Sequence, residues 1–246
     1  MPEWSNGMRS RRIGLVPTKV RILFPALCLR SSAWIEHQVP NLGVAGSNPV
    51  EGIKMIMEKQ IFIIEHLEPK LWKWCLAEYK NISKLIGKNN LWFTNVKKES
   101  KKLLRYGKVI KNSVKKLNLR NVCILDPNAK KTLTPQEARK FSFFIFGGIL
   151  GDDPPKNRTE KELSFFMPSA KKRNIGKEQM STDNAICTVN EIVRGNKIEE
   201  LDFKDKIEIK INKIESVILP YRYLLIKGKP LVSKDVVDYL KRKKGF

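Results

Sequence analysis

Residues 143–159, FFIFGGILGDDPPKNRT, decide how the chain is read. Phe143, Phe144, Ile145 and Phe146 favour a strand, and they run straight into Gly147, Gly148 and Gly151. Glycine in such a place either turns the chain with φ above zero or lets another group approach the backbone. Pro154 and Pro155 forbid an immediate helix. A dinucleotide fingerprint needs glycine where Phe146 stands, and a P-loop needs Gly-Lys-Ser/Thr where Asp152 and Asp153 follow Gly151. Two carboxylates repel phosphate, so the loop suits a neutral or cationic ligand.

Outward from this loop, strand and helix patterns alternate. Residues 60–64 read as a short apolar strand ending at Glu65 and His66. Pro69 suits the first turn of a helix on which Leu71, Cys75, Tyr79, Ile82 and Ile86 recur at helical spacing until Gly87. Residues 91–96 and 122–125 read as strands, with a lysine-rich helical stretch between them that runs to about Leu117. Thr134, Pro135 and Glu137 make a capping-box pattern. Ser181 or Thr182 caps a helix with Ile186, Val189 and Val193 on its apolar side and Gly195 as its stop. Strands at 206–212 and 221–226 and a helix capped by Ser233 complete a single α/β domain, long enough to bury a full core.

In open α/β sheets ligands bind beyond the carboxyl ends of the strands. Glu65-His66, Asp126-Pro127 and residues 147–153 all begin at such ends. Taken singly, each is also an ordinary cap, turn or close-packed glycine pair.

The formal charge of +23 suits an anionic partner such as RNA or the ribosome surface, and equally a solvated lysine surface encoded by an AT-rich genome. Cys28, Cys75, Cys123 and Cys187 show no C-x-x-C spacing, and the last three sit among apolar residues. They read as thiols of a reducing, cytoplasmic compartment. Only His37 and His66 could assist a metal site, so none is expected. The apolar run near residues 141–150 falls far short of the roughly 20 residues that span a bilayer, so no membrane partner is expected.

Residues 1–54 carry 5 Arg and 2 Lys, whereas residues 55–246 carry 8 Arg and 33 Lys. Back-translation explains the switch: residues 46–49 can be written GGT TCG AAT CCC and residues 20–22 GTT CGA ATC, the T-arm of a tRNA gene in two frames. Residues 37–42 between them can be written as an anticodon arm. The expected start of the protein is therefore Met55 or Met57, with one domain over residues 57–246 and a poorly ordered segment before it. The alternative is a genuine basic extension, and a gene sequence without a tRNA cloverleaf there would decide for it.

The blocks IIEHLE (63–68), CILDPNAKKTLTPQEARKFSFFIFGGILGDDPPKNRTEKEL (123–163), IGKEQMSTDNA (175–185) and LPYRYLLIKGKP (219–230) together resemble a SPOUT-class methyltransferase family. Its eukaryotic branch methylates an arginine of a small-subunit ribosomal protein, and other members are described as RNA methyltransferases. The resemblance covers residues 60–246 and implies a parallel sheet flanked by helices, with a C-terminal trefoil knot that binds S-adenosylmethionine. It implies a monomer acting on a ribosomal protein or the ribosome, with possible rRNA contact; RNA methylation, or non-catalytic ribosome and RNA binding, are the alternatives. It places the cofactor against Leu125, Asp126 and Pro127, against Gly147, Gly148, Ile149 and Gly151, and against Ile175, Gly176, Gln179, Met180 and Thr182.

Methyl transfer adds one requirement. A guanidinium stays protonated in water, so carboxylates must hold it and take its proton. Glu65, Asp152 and Asp153 are the candidates, with Arg158 orienting a carboxylate or the cofactor; the two aspartates could instead cap amides of their own loop.

Overall fold

The computed structural model describes residues 60–212 and 214–242, and the expectations for residues 1–54 lie outside them. Strands β1 (Ile61–His66), β2 (Leu91–Thr94), β3 (Lys108–Val109), β4 (Val122–Leu125), β5 (Phe143–Gly148) and β6 (Lys171–Arg173) form one parallel sheet in the order β3-β2-β1-β5-β4-β6. The opening stretch is its centre: β5 pairs with β1 from Phe143 to Gly148 and with β4 from Phe143 to Ile145. Strands covered on both faces become continuous apolar runs, which is why FFIF is apolar at every position.

Helices α1 (Lys73–Ile86), α2 (Pro135–Ala138), α3 (Arg158–Glu162), α4 (Thr182–Arg194) and α5 (Lys234–Arg242) alternate with the strands. Phe62, Ile64, Phe144 and Phe146 pack against Cys75, Tyr79 and Ile82 of α1 and Ile186, Val189 and Ile192 of α4. The intervening Ile63, Ile124 and Ile145 face the other way, onto Val114 and Leu163. Each such buried side chain contributes roughly 1.5–3 kcal/mol of transfer free energy. Cys75, Cys123 and Cys187 are buried thiols. No helix among the described residues is long and apolar enough to cross a membrane.

Beyond the sheet, β7 (Phe203–Lys210), β8 (Ser216–Ile226) and β9 (Lys229–Pro230) form an antiparallel sheet. Its residues Ile207, Leu219 and Tyr221 close a second core with Val236, Val237 and Leu240 of α5 and with Trp74 and Ala77 of α1.

Three expectations are corrected. The first helix starts at Lys73, not at Pro69, because residues 67–70 are tied to the glycine loop: the Leu67 N–H donates to the Gly148 carbonyl and Glu68 accepts from the Leu150 N–H. The lysine-rich stretch before residue 117 is not a helix but two 3-10 turns, Ser100–Lys102 and Val114–Lys116, flanking β3. It has no apolar stripe at helical spacing, and Leu103 and Val114 anchor it individually. At α2, Thr134 accepts from the Glu137 N–H as expected, but the Glu137 carboxylate turns to Arg173, at 2.7 and 2.9 Å.

Candidate active site

From β1 the sheet grows one way through β2 and β3 and the other way through β5, β4 and β6, so its switch point lies between β1 and β5. A cavity of about 330 Å³ opens beyond the carboxyl ends there, walled by the loops after β1, β4, β5 and β6, by Trp74 and Glu78 of α1, and by Tyr221 of β8.

Most of the residues singled out from sequence meet in this cavity. Leu125, Asp126 and Pro127 line it after β4, as do Gly147, Ile149, Gly151 and Asp152 after β5. Ile175, Gly176, Gln179, Met180 and Thr182 line it after β6, and Arg158 at the start of α3 joins them. Three do not. Glu65 is fully buried behind β1, where its carboxylate accepts from Thr94 Oγ1 and Ser113 Oγ, both at 2.5 Å, and from the Val114 N–H at 2.9 Å. Gly148 faces the core, where an added Cβ would lie 2.3 Å from Tyr79 Oη and 2.8 Å from Ile64 Cγ2. Asp153 is exposed beyond the lining.

The glycines of the loop are there for space rather than for a turn. Gly147, Gly148 and Gly151 are absent from the left-handed region, which Gly176 does occupy at φ 103°. At Gly151 an added Cβ would lie 2.3 Å from Gln179 Nε2 and 2.7 Å from Tyr221 Oη. Tyr221 Oη donates to the Gly151 carbonyl at 2.8 Å. Burial keeps that phenol protonated, helped by the charges of Glu78, Asp152 and Asp153. The loop is thus clamped to β8, and the Arg222 N–H donates to the Gln179 carbonyl to hold the next wall in register.

Arg158 fastens the rim. Nη1 donates to Glu68 Oε1 and Nε to Glu162 Oε1, both at 2.6 Å, and Nη2 reaches the Leu67 carbonyl at 3.2 Å. Burial works against this charge, but the bonds to Glu162 and Glu68 hold its pKa above the usual arginine value. Arg158→Ala should lower stability by about 2 kcal/mol in urea unfolding, because Glu68 would keep a mostly buried charge without its cation. Arg158→Lys should restore little of it, since an ammonium cannot reach three acceptors in that fork.

Among the lining residues that sequence reasoning missed are Trp72, Trp74 and Glu78. Trp74 and Glu78 lie one turn apart on α1, and Trp74 Nε1 donates to Glu78 Oε1 at 2.8 Å. Burial pushes the Glu78 carboxyl up to about 8, with the nearby Asp183 charge adding to the rise and the Trp74 and Thr182 hydrogen bonds opposing it. Trp72 Nε1 is buried without a partner among the described residues, a spare donor on a cavity-lining residue.

Comparison with known proteins adds the following. Residues 61–245 match the family model described as protein arginine N-methyltransferase SFM1-like. Protein arginine N-methyltransferase SFM1 of Saccharomyces cerevisiae is 37% identical over 201 residues, spanning 74% of this chain and 94% of the yeast protein. The crystal structure of the yeast enzyme complexed with SAM is similar at a TM-score of 0.69 and 35% identity, over 74% of this chain and 90% of that one. Its complex with SAH gives 0.68 and 35%, over 74% and 94%.

Proposed function

The chain belongs to the SFM1-like family of protein arginine N-methyltransferases, and from that premise we propose that it transfers a methyl group from S-adenosylmethionine to an arginine of a ribosomal protein. The observation that carries the choice of arginine is the charge of the cavity. In a chain of net charge +23, Glu68, Glu78, Asp126, Asp152 and Glu178 line it against Lys156, Arg158 and Lys177. A locally acidic site in a basic protein attracts a guanidinium and repels a phosphate backbone.

The residues present fit the cofactor. Gly147 and Gly151 line the cavity and let its loop pack tightly on Thr159, Gln179 and Tyr221, and Leu125, Ile149, Ile175 and Met180 give apolar walls. Trp72 Nε1 offers a donor that no group among the described residues uses. Leu125 to Pro127, the loop around Gly151 and the Ile175–Thr182 segment would hold it. Bound there, the sulfonium supplies an electrophilic methyl group, and the chain's own task is to hold the acceptor nitrogen in line and exclude water. The SPOUT-type trefoil knot belongs to the same reading. A monomer at work in the cytoplasm completes the proposal.

The test is to incubate the purified chain and radiolabelled S-adenosylmethionine with ribosomes from cells lacking the gene. Label that resists RNase and yields to protease, traced to an arginine by mass spectrometry, is the expected result. Label removed by RNase would make the substrate RNA and give the lysine surface its role.

A further inference from the structure

Four of the five carboxylates that line the cavity are already engaged. Glu68 Oε1 holds Arg158 at 2.6 Å and the Leu150 N–H at 3.0 Å. Asp126 accepts from Ser164 Oγ at 2.5 Å and from the Asn128 N–H at 3.0 Å. Asp152 pairs with Lys156 at 3.0 Å, and Glu178 with Arg222 at 2.8 Å. Glu78 differs from all of them. It is buried on α1, it accepts hydrogen bonds from the Trp74 indole and from Thr182, and no cation among the described residues bridges it.

The groups facing Glu78 deepen the contrast. α4 presents Asp183, itself surrounded by Ser181, Asn81 and Asn184. β8 presents the Tyr221 and Tyr223 phenols, and α1 the Cys75 thiol and the Tyr79 phenol. All are acidic or neutral. A desolvated carboxyl surrounded in this way is held back from ionising despite its two hydrogen bonds, and an incoming cation is what would stabilise its charged form.

We propose that Glu78 receives the guanidinium of the substrate arginine and accepts the proton that methylation releases. This rests on the arginine reading above. As the guanidinium nitrogen forms its bond to the methyl carbon, the carbon–sulfur bond breaks and its electron pair stays on sulfur as the neutral thioether. The same nitrogen loses a proton to the Glu78 carboxylate, which passes it to solvent, and the methylated guanidinium keeps its single positive charge.

Because Glu78 must be ionised to take a cation and its carboxyl titrates near 8, kcat/KM should rise with pH up to about 8 and then level. The same raised pKa sets the sign for stability. At Glu78 the folded chain binds a proton more tightly than the unfolded one, so this residue's contribution to stability falls as pH climbs from the ordinary 4.5 toward 8.

The experiment compares the full-length wild-type chain with Glu78→Gln, which still accepts from Trp74 but cannot ionise. Three quantities are read: kcat/KM on the protein fraction that wild type labels, S-adenosylmethionine affinity by calorimetry, and thermal midpoint at pH 5 and 8. The expected variant loses about a hundredfold or more in kcat/KM together with the pH dependence. It keeps cofactor affinity within about twofold and melts higher than wild type at pH 8 but not at pH 5. Unchanged kcat/KM and pH profile would overturn the proposal, as would parallel loss of cofactor binding, which would make Glu78 a cofactor-holding residue instead. A wild-type chain that labels no protein would remove the arginine reading itself, and the proposal with it.

Discussion

Glu65→Ala is expected to lower the unfolding free energy by about 3–5 kcal/mol while leaving cofactor affinity, per folded molecule, nearly unchanged. The carboxylate is fully buried at the end of β1 and accepts from Thr94 Oγ1, Ser113 Oγ and the Val114 N–H. These donors join β1 to β2 and to the 3-10 turn at Val114–Lys116, where Val114 also packs on the sheet. Truncation strands the Val114 N–H, at roughly 1–3 kcal/mol, and removes bonds to a carboxylate that are each worth about as much. The Thr94 hydroxyl loses least, because the Ile64 carbonyl at 3.3 Å remains within its reach. Glu65→Gln separates structure from chemistry: both hydroxyls can rotate to suit an amide, so its loss should be under half that of the alanine variant. Urea unfolding gives the stabilities and calorimetry the affinity. A Glu65→Gln chain of wild-type stability that methylates nothing would return this residue to the reaction.

Glu65 also shows where the sequence stops being informative. Its place at a strand's carboxyl end was legible, because a short apolar run followed by polar residues marks that end. Nothing in the run tells which neighbour its carboxylate meets, and Thr94 and Ser113 lie 29 and 48 residues further along the chain. The central strand was legible because full burial on both faces writes itself as an unbroken apolar stretch. Edge strands β3 and β6 were not: Lys108–Val109 and Lys171–Arg173 are short and basic, as edges that resist pairing with other chains tend to be. The glycine loop stood out because close backbone approach leaves only one residue type to choose. Glu78 was hidden for the opposite reason, since a helical glutamate reads as surface until a second sheet covers that face of α1.

Gly151→Val should reduce affinity for S-adenosylmethionine by about a hundredfold or more and cost about 1–3 kcal/mol of stability. The effect is steric. Gly151 has no positive φ, so a side chain there meets neighbours, not a forbidden backbone conformation. The first neighbour, Gln179 Nε2 at 2.3 Å, ends a flexible side chain and can swing aside. The second cannot: Tyr221 Oη at 2.7 Å and Cε1 at 2.8 Å belong to a buried ring whose hydroxyl donates to the carbonyl of Gly151 itself. Relief therefore requires the loop to leave β8, breaking that bond and moving Ile149, Leu150 and Asp152 out of the cavity wall together. Gly147→Val is the internal control, for there an added Cβ meets the mobile end of Ile149 at 2.8 Å and Thr159 Oγ1 at 3.2 Å. Its affinity should fall several-fold less. Removing the Gln179 side chain from the Gly151→Val background should recover little, because the ring remains. Full recovery in that double variant would place the obstruction at Gln179 and show that the clamp on β8 does not set the shape of the cavity.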